Sequence, residues 1–154
     1  MDQLTWHCKM FADLSSAEIY AILRLRNEVF VVEQNCIFQD ADNMDQHCYH
    51  LTGWVGNDLA AYTRLVPKGV AYNHPSIGRV VTSPKYRGRA FGKQLMLQSI
   101  KKCNELFGVE TIKIGAQLYL KKFYERLGFV QAGEVYDEDG IDHIHMLRDA
   151  GLDR

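Results

Sequence analysis

The sequence predicts an α/β fold in which one mixed sheet is covered by helices. Three observations carry that expectation. Strand-like segments recur along the whole chain, helix-period segments interrupt them, and the two interleave without regular β-α-β alternation. Length and composition suit a single soluble domain over residues 1–154. Of these residues 47% are apolar and 24% charged, and the formal net charge is -1, which excludes disorder and fibrous designs.

The elements follow in order. Residues 4 to 10 are expected as the first strand. Ser15-Ser16-Ala17-Glu18 reads as a capping box, so a helix starts there and runs to about residue 31, with Ile19, Ile22, Leu23, Val29 and Phe30 at helical spacing and Arg24 and Asn27 opposite. Residues 34 to 46 are polar and acidic, a long loop or a loop with a short helical turn. Strands near 47 to 56 and 58 to 66 turn at Gly56-Asn57-Asp58. Ile77-Gly78-Arg79-Val80-Val81-Thr82 is the next strand, stopped by Ser83-Pro84. From about 90 to 106 the spacing of Leu95, Met96, Ser99, Ile100 and Cys103 predicts a helix, with Gly108 as its C-cap. Thr111 to Ile114 makes a strand, and a helix near 118 to 127 ends at Gly128. Strands near 129 to 136 and 141 to 147 close the chain, joined by the acidic turn Asp137-Glu138-Asp139-Gly140.

Charge is unevenly spread. No Asp or Glu occurs between Leu59 and Asn104, a window that holds Arg64, Lys68, Arg79, Lys85, Arg87, Arg89 and Lys93, so an anionic ligand is expected there. Acids gather at Glu33, Asp40, Asp42 and Asp45, and again at Glu134, Asp137, Glu138, Asp139 and Asp142. Both clusters suit a cationic partner, with solvated surface as the alternative. Cys8, Cys36, Cys48 and Cys103 have no C-x-x-C spacing and read as buried reduced thiols. The first nine residues carry no basic flank before an apolar run, and no stretch nears the roughly 20 apolar residues that span a bilayer, so a cytoplasmic location without a membrane partner is expected. His143 and His145 share a strand face, but no third and fourth ligand accompanies them, and no metal is expected. The basic window lacks an aromatic stacking platform, which argues against nucleic acid as the partner.

The informative segment is a strand, a stop, and then Tyr86-Arg87-Gly88-Arg89-Ala90-Phe91-Gly92-Lys93 opening a helix. The first N–H groups of a helix lack intrahelical partners, and the dipole favours an anion there. Gly88 and Gly92 allow close approach of a phosphate, while Arg87, Arg89 and Lys93 add positive charge. A Walker motif does not fit, since the glycines are one residue too close and Gln94 stands where a hydroxyl residue would hold magnesium. The G-x-G-x-x-G dinucleotide pattern is absent as well.

The chain resembles the GNAT superfamily of N-acetyltransferases, and within it the ElaA-like branch. The superfamily's R/Q-x-x-G-x-G/A loop is matched by Arg87-Gly88-Arg89-Ala90-Phe91-Gly92, with Ala90 where glycine is usual. Alanine at that place argues against a left-handed backbone. The ElaA-like resemblance runs through Arg26-Asn27-Glu28-Val29-Phe30-Val31-Val32-Glu33-Gln34, Gly115-Ala116-Gln117, Phe123-Tyr124-Glu125-Arg126-Leu127-Gly128-Phe129 and Glu134-Val135-Tyr136-Asp137-Glu138-Asp139-Gly140-Ile141.

This resemblance implies a central mixed, mostly antiparallel sheet, splayed at its middle and flanked by helices. It implies acetyl-CoA as cosubstrate, with Val80, Val81 and Thr82 facing pantetheine, Arg87 to Gly92 holding the pyrophosphate beside Lys93, and Tyr124 near the thioester sulfur. The implied reaction is direct attack of a primary amine within a ternary complex. A backbone N–H near Val80 or Val81 would stabilise the oxyanion. Tyr124, with an ordinary pKa of about 10, would protonate a thiolate whose conjugate acid is near 8.5. Glu33, His143 or an ordered water would serve as base. A non-catalytic acyl-CoA sensor is the alternative. A polyamine, an amino sugar, a peptide N-terminus and a lysine side chain all satisfy the acceptor description.

Overall fold

A computed structural model describes residues 3–154. The strands form two antiparallel ladders. One has the order β1 (Thr5–Met10), β2 (Tyr49–Val55), β3 (Asp58–Val66), β4 (Ser76–Thr82). The other places β8 (Ile141–Arg148) between β5 (Ile112–Gln117) and β6 (Phe129–Gln131), with β7 (Tyr136–Glu138) also paired to β8. The one sheet expected from sequence is splayed between β4 and β5, as the family resemblance implies. Both strands begin at a shared point, where the Lys113 N–H donates to the Pro75 carbonyl (3.0 Å), and no ladder joins them beyond it among the described residues.

Helix α1 (Ser16–Arg26) starts as the sequence predicts. The Ser15 hydroxyl accepts from the Glu18 N–H (3.1 Å) and the Glu18 carboxylate from the Ser15 N–H (2.9 Å), which satisfies two of the first turn's unpaired donors. It runs past the expected end at residue 31, continuing as a π-helical segment through Glu33. Helix α2 (Phe91–Phe107) ends where Gly108 adopts φ +83°. The third helical segment opens as a tight 3-10 turn over Leu118–Leu120 before α3 (Lys121–Glu125). The strand expected over 129 to 136 is two strands, because Gly133 turns the chain at φ +107°.

Alternation along β3 divides the core. Ala61 and Leu65 meet Leu95, Met96 and Ile100 of α2, and the Thr63 hydroxyl bonds Ser99 (2.7 Å). Tyr62 points the other way, into a second cluster with Ile22, Leu25 and Val29 of α1. The first sheet is therefore covered by a helix on each face. The cysteines are unpaired thiols, and burial pushes Cys48 up to about 11 and Cys103 to about 12.

The acidic run at 40 to 45 is not a solvated surface and not a binding patch for an external cation. Arg26 is fully buried on α1, with its Nε 2.7 Å from Asp40 Oδ2 and its Nη1 2.8 Å from Asp45 Oδ1. Arg64 on β3 holds Asp42 and Asp45 at 2.8 and 2.9 Å. Arg79 on β4 lies 2.9 Å from Asp40 Oδ1, off the line of a hydrogen bond, and donates squarely to the Asp40 carbonyl (3.0 Å). Three arginines and three aspartates thus neutralise one another and fasten the 34 to 47 loop to three elements of the core. Two of the cations that made the basic window look anion-seeking are spent here.

Burial opposes ionisation of Asp42, but the hydrogen bonds and charge of Arg64, with Arg79 behind, hold its carboxyl at about 2. Asp45 is lowered as well, where Arg26 and Arg64 outweigh the same burial. A depressed folded-state pKa stabilises the fold fully above the ordinary carboxylate range and loses that contribution as pH falls through the folded value. Acid unfolding, followed by circular dichroism, is expected to begin below about pH 4 and to steepen toward pH 2. The variant Asp42→Asn should flatten that dependence.

Candidate active site

The gap between β4 and β5 is a cleft of about 690 Å³. Its β4 wall is shaped by a bulge. The register with β3 shifts between Tyr62 and Arg64, and Arg79 is held at φ +50°, a conformation costly for a side chain with a Cβ. One edge of β4 pairs with β3, and the edge that faces the cleft has no ladder partner among the described residues, so its N–H and C=O groups are open to an added extended chain. Val80, Val81 and Thr82 all line this wall. The Val81 side chain itself packs against α1, and Val80 leans on the main core, so what these two residues offer the cleft in polar chemistry is backbone.

At the end of β4 the chain enters the glycine-rich loop. Ser83 caps a 3-10 turn over Pro84–Tyr86, and the buried Tyr86 donates to Asp58 (2.7 Å), which fixes the loop's base. Gly88 takes φ +80° and Ala90 φ +59°, ψ +22°. The left-handed backbone that alanine argued against is therefore present. The sharp entry into α2 demands it, at a cost of about 1–2 kcal/mol that glycine would not incur. The Phe91 ring is buried against Tyr86 (6.3 Å), which turns its side chain away from the loop's outer face. Arg89 lies over the Tyr86 ring (5.2 Å), and Lys93 is exposed beside the helix start. Gly92 lines the cleft, where an added Cβ would find its nearest neighbour, Phe123 Cζ, at 3.9 Å.

Arg87 is engaged by a second predicted site residue. Its guanidinium grips the Glu33 carboxylate through two bonds of 2.6 and 2.7 Å across the cleft. That pairing lowers the Glu33 pKa, chiefly through the Arg87 hydrogen bonds. A carboxylate held as an ion-pair partner is a weaker proton acceptor than a free one.

Tyr124 lies in the cleft lining on α3, 5% exposed, edge-on to Phe123 (5.1 Å) and Phe129 (6.0 Å). Burial raises its pKa far above the ordinary value, which corrects the small mismatch with a thiol inferred from reference values. His143 also lines the cleft, 7% exposed, on β8 opposite Gln117 of β5.

At the far end of the cleft Cys36 joins Gln34, Gln117 and Asp139, which belong to the runs quoted for the ElaA-like resemblance. Cys36 donates from Sγ to the Asp139 carbonyl (3.2 Å), and Gln117 reaches Gln34 (3.4 Å), so the 34 to 47 loop and the β7–β8 turn meet over the cleft. The anchoring of that loop had one signal in the sequence. Arg26 falls four residues after the buried Ile22 on the helix face, where a cation demands a buried acid.

Residues 17–149 match the acetyltransferase (GNAT) domain family. The chain belongs to this family. Among relatives of this GNAT domain, the protein ElaA of Escherichia coli K12 is 39% identical over 148 residues, covering 95% of this chain and 97% of its own. The crystal structure of E. coli ElaA superposes with a TM-score of 0.89 at 38% identity, covering 96% of this chain and all of that one. An acyl-CoA N-acyltransferase from Pseudomonas aeruginosa superposes with a TM-score of 0.91 at 42% identity, covering 95% and 99%. The GNAT domain thus shares the mixed α/β fold of these neighbours. Among its described residues no group of three or more His, Cys, Asp or Glu is arranged to hold a metal, and no helix is long and apolar enough to cross a membrane.

Proposed function

We propose that this GNAT domain, a single unit over residues 1–154, transfers an acetyl group from acetyl-CoA to a primary amine by direct attack in a ternary complex. The observation that carries the reading is the unpaired edge of β4, which faces the cleft and runs straight into the Gly88, Ala90 and Gly92 helix entry. An extended amide-bearing arm fits the strand edge, and an adjoining pyrophosphate fits the helix start. Family membership and the acyl-CoA N-acyltransferase relative support the same donor class.

In this reading the backbone near Val80 and Val81 polarises the thioester carbonyl, Tyr124 protonates the departing thiolate and His143 receives a proton from the amine. Glu33 neutralises Arg87 until the pyrophosphate replaces it. Calorimetry should detect CoA binding, and thiol release should require both acetyl-CoA and an amine. CoA binding with no thiol release, whatever amine is supplied, would favour a non-catalytic acyl-CoA sensor. The variant Gly92→Asp separates binding from folding. A carboxylate in the first helical turn suits the dipole, yet it opposes the pyrophosphate, so the Kd for CoA should rise about tenfold or more with no loss of thermal stability. Unchanged CoA affinity in this variant would remove the loop from the site.

A further inference from the structure

The acceptor end of the cleft carries a pair of polar atoms in an unusual relation. His143 Nδ1 lies 2.8 Å from the Ile141 carbonyl oxygen. A carbonyl only accepts, so Nδ1 carries the proton. Nε2 lies 3.3 Å from Glu138 Oε2: a protonated ring donates to that carboxylate, and a neutral ring sets its lone pair beside it. Among the described residues no side-chain or backbone donor is placed on Nε2.

The arrangement is held from several sides. The Tyr136 ring leans on the imidazole at 5.8 Å, and Gln117 pairs across from it on β5. The turn after Glu138 is pinned where the Asp139 carbonyl accepts the Cys36 thiol, and where Asp137 accepts the Gly140 N–H (3.3 Å). With the ring neutral, the buried Nε2 and the solvent-exposed Glu138 carboxylate together suit a group with several donors and a positive charge.

We infer that His143 and Glu138 form the subsite for the acceptor, and that it takes an aliphatic primary ammonium with one N–H on His143 Nε2 and another on the Glu138 carboxylate. The inference rests on the acyltransfer reading above. His143 Nε2 removes one proton from the ammonium. The freed nitrogen lone pair then forms the C–N bond as the C–S bond breaks, and Tyr124 protonates the thiolate. The nitrogen's second proton returns to the Tyr124 oxygen through solvent, and the first leaves His143 the same way. Of the ammonium's two protons one thus ends on sulfur, in balance, and one in solution. Glu138 binds the amine and does not touch the carbonyl.

The test begins with the wild-type protein, its histidine rings observed by two-bond 1H–15N correlation. The probe is 1,4-diaminobutane, with 1,4-butanediol as the uncharged control. The expected result is an Nδ1-protonated His143 whose Nε2 signal moves with the diamine and not with the diol. A ring protonated at Nε2 at neutral pH, or one indifferent to the diamine, overturns the inference.

Kinetics with the same diamine supply the second arm. Glu138→Ala should raise its KM about tenfold while the KM for acetyl-CoA stays unchanged. Glu138→Gln should lose more, because its amide N–H caps the His143 lone pair. Wild-type KM for the diamine in Glu138→Ala sinks the subsite and leaves the acyltransfer reading intact. A diamine-responsive His143 in a protein that releases no thiol does the reverse.

Discussion

Tyr124→Phe is expected to lower kcat about 100-fold or more, with the Kd for CoA nearly unchanged. The variant removes one oxygen and keeps the ring that meets Phe123 and Phe129 edge-on, so the wall of the cleft survives. What is lost is the proton that the leaving thiolate needs. Burial keeps the hydroxyl neutral across the working range, because it raises the pKa and so extends the protonated form to higher pH. The wild-type rate should therefore show no alkaline limb from Tyr124 below about pH 10. Single-turnover measurement of thiol release is the appropriate readout, since slow product release would mask the chemical step. A single-turnover rate equal to wild type would take the acid role from Tyr124.

Arg26→Met is expected to destabilise the fold by about 3–5 kcal/mol. Arg26 is fully buried, and it alone among the arginines binds both Asp40 and Asp45 through side-chain hydrogen bonds. Its removal leaves buried carboxylate oxygens short of a cation, a large fraction of the roughly 5–15 kcal/mol that holds a domain together. For a chain of this length the midpoint of thermal unfolding should drop by on the order of 10 °C. Arg26→Lys should rescue little, because one ammonium cannot reproduce the fork that spans the two aspartates. Pairing Arg26→Met with Asp40→Leu should recover part of the loss by removing an uncompensated charge. The loop that this network fastens walls the acceptor side, so the KM for the amine should rise more than the affinity for CoA falls. A change of less than about 2 °C in Arg26→Met would show that the network is not a support of the fold.

Local rules carried much of the architecture. The Ser15 and Glu18 pair started α1, Gly108 and Gly128 ended the helical segments after them, and Gly56-Asn57 turned the β2–β3 hairpin, each through backbone requirements met within a few residues. The phosphate loop was legible for the same reason, as its chemistry is that of a helix start. The split of residues 129 to 136 into β6 and β7 was not, since β-branched character says nothing about which partner edge a strand will meet.

Charge misled where it was counted along the chain. Asp40, Asp42 and Asp45 looked like a surface for cations, and Arg64 and Arg79 like a surface for anions, yet the fold brings the two groups together and cancels them. Glu33 and Arg87 are 54 positions apart in sequence and 2.6 Å apart in space. His143 was nameable as a candidate, but its tautomer and its pairing with Glu138 depend on a turn geometry that no residue spacing specifies.

By itself the sequence determined most of the elements, the glycine-rich helix start and the family, because these rest on short-range backbone chemistry and on runs of matching residues. Tertiary structure alone decided which charges are spent inside and which acids remain at the far end of the cleft. Those outcomes depend on which side chains meet across the sheet, and Coulomb and desolvation energies act on distance in space, not on position in the chain.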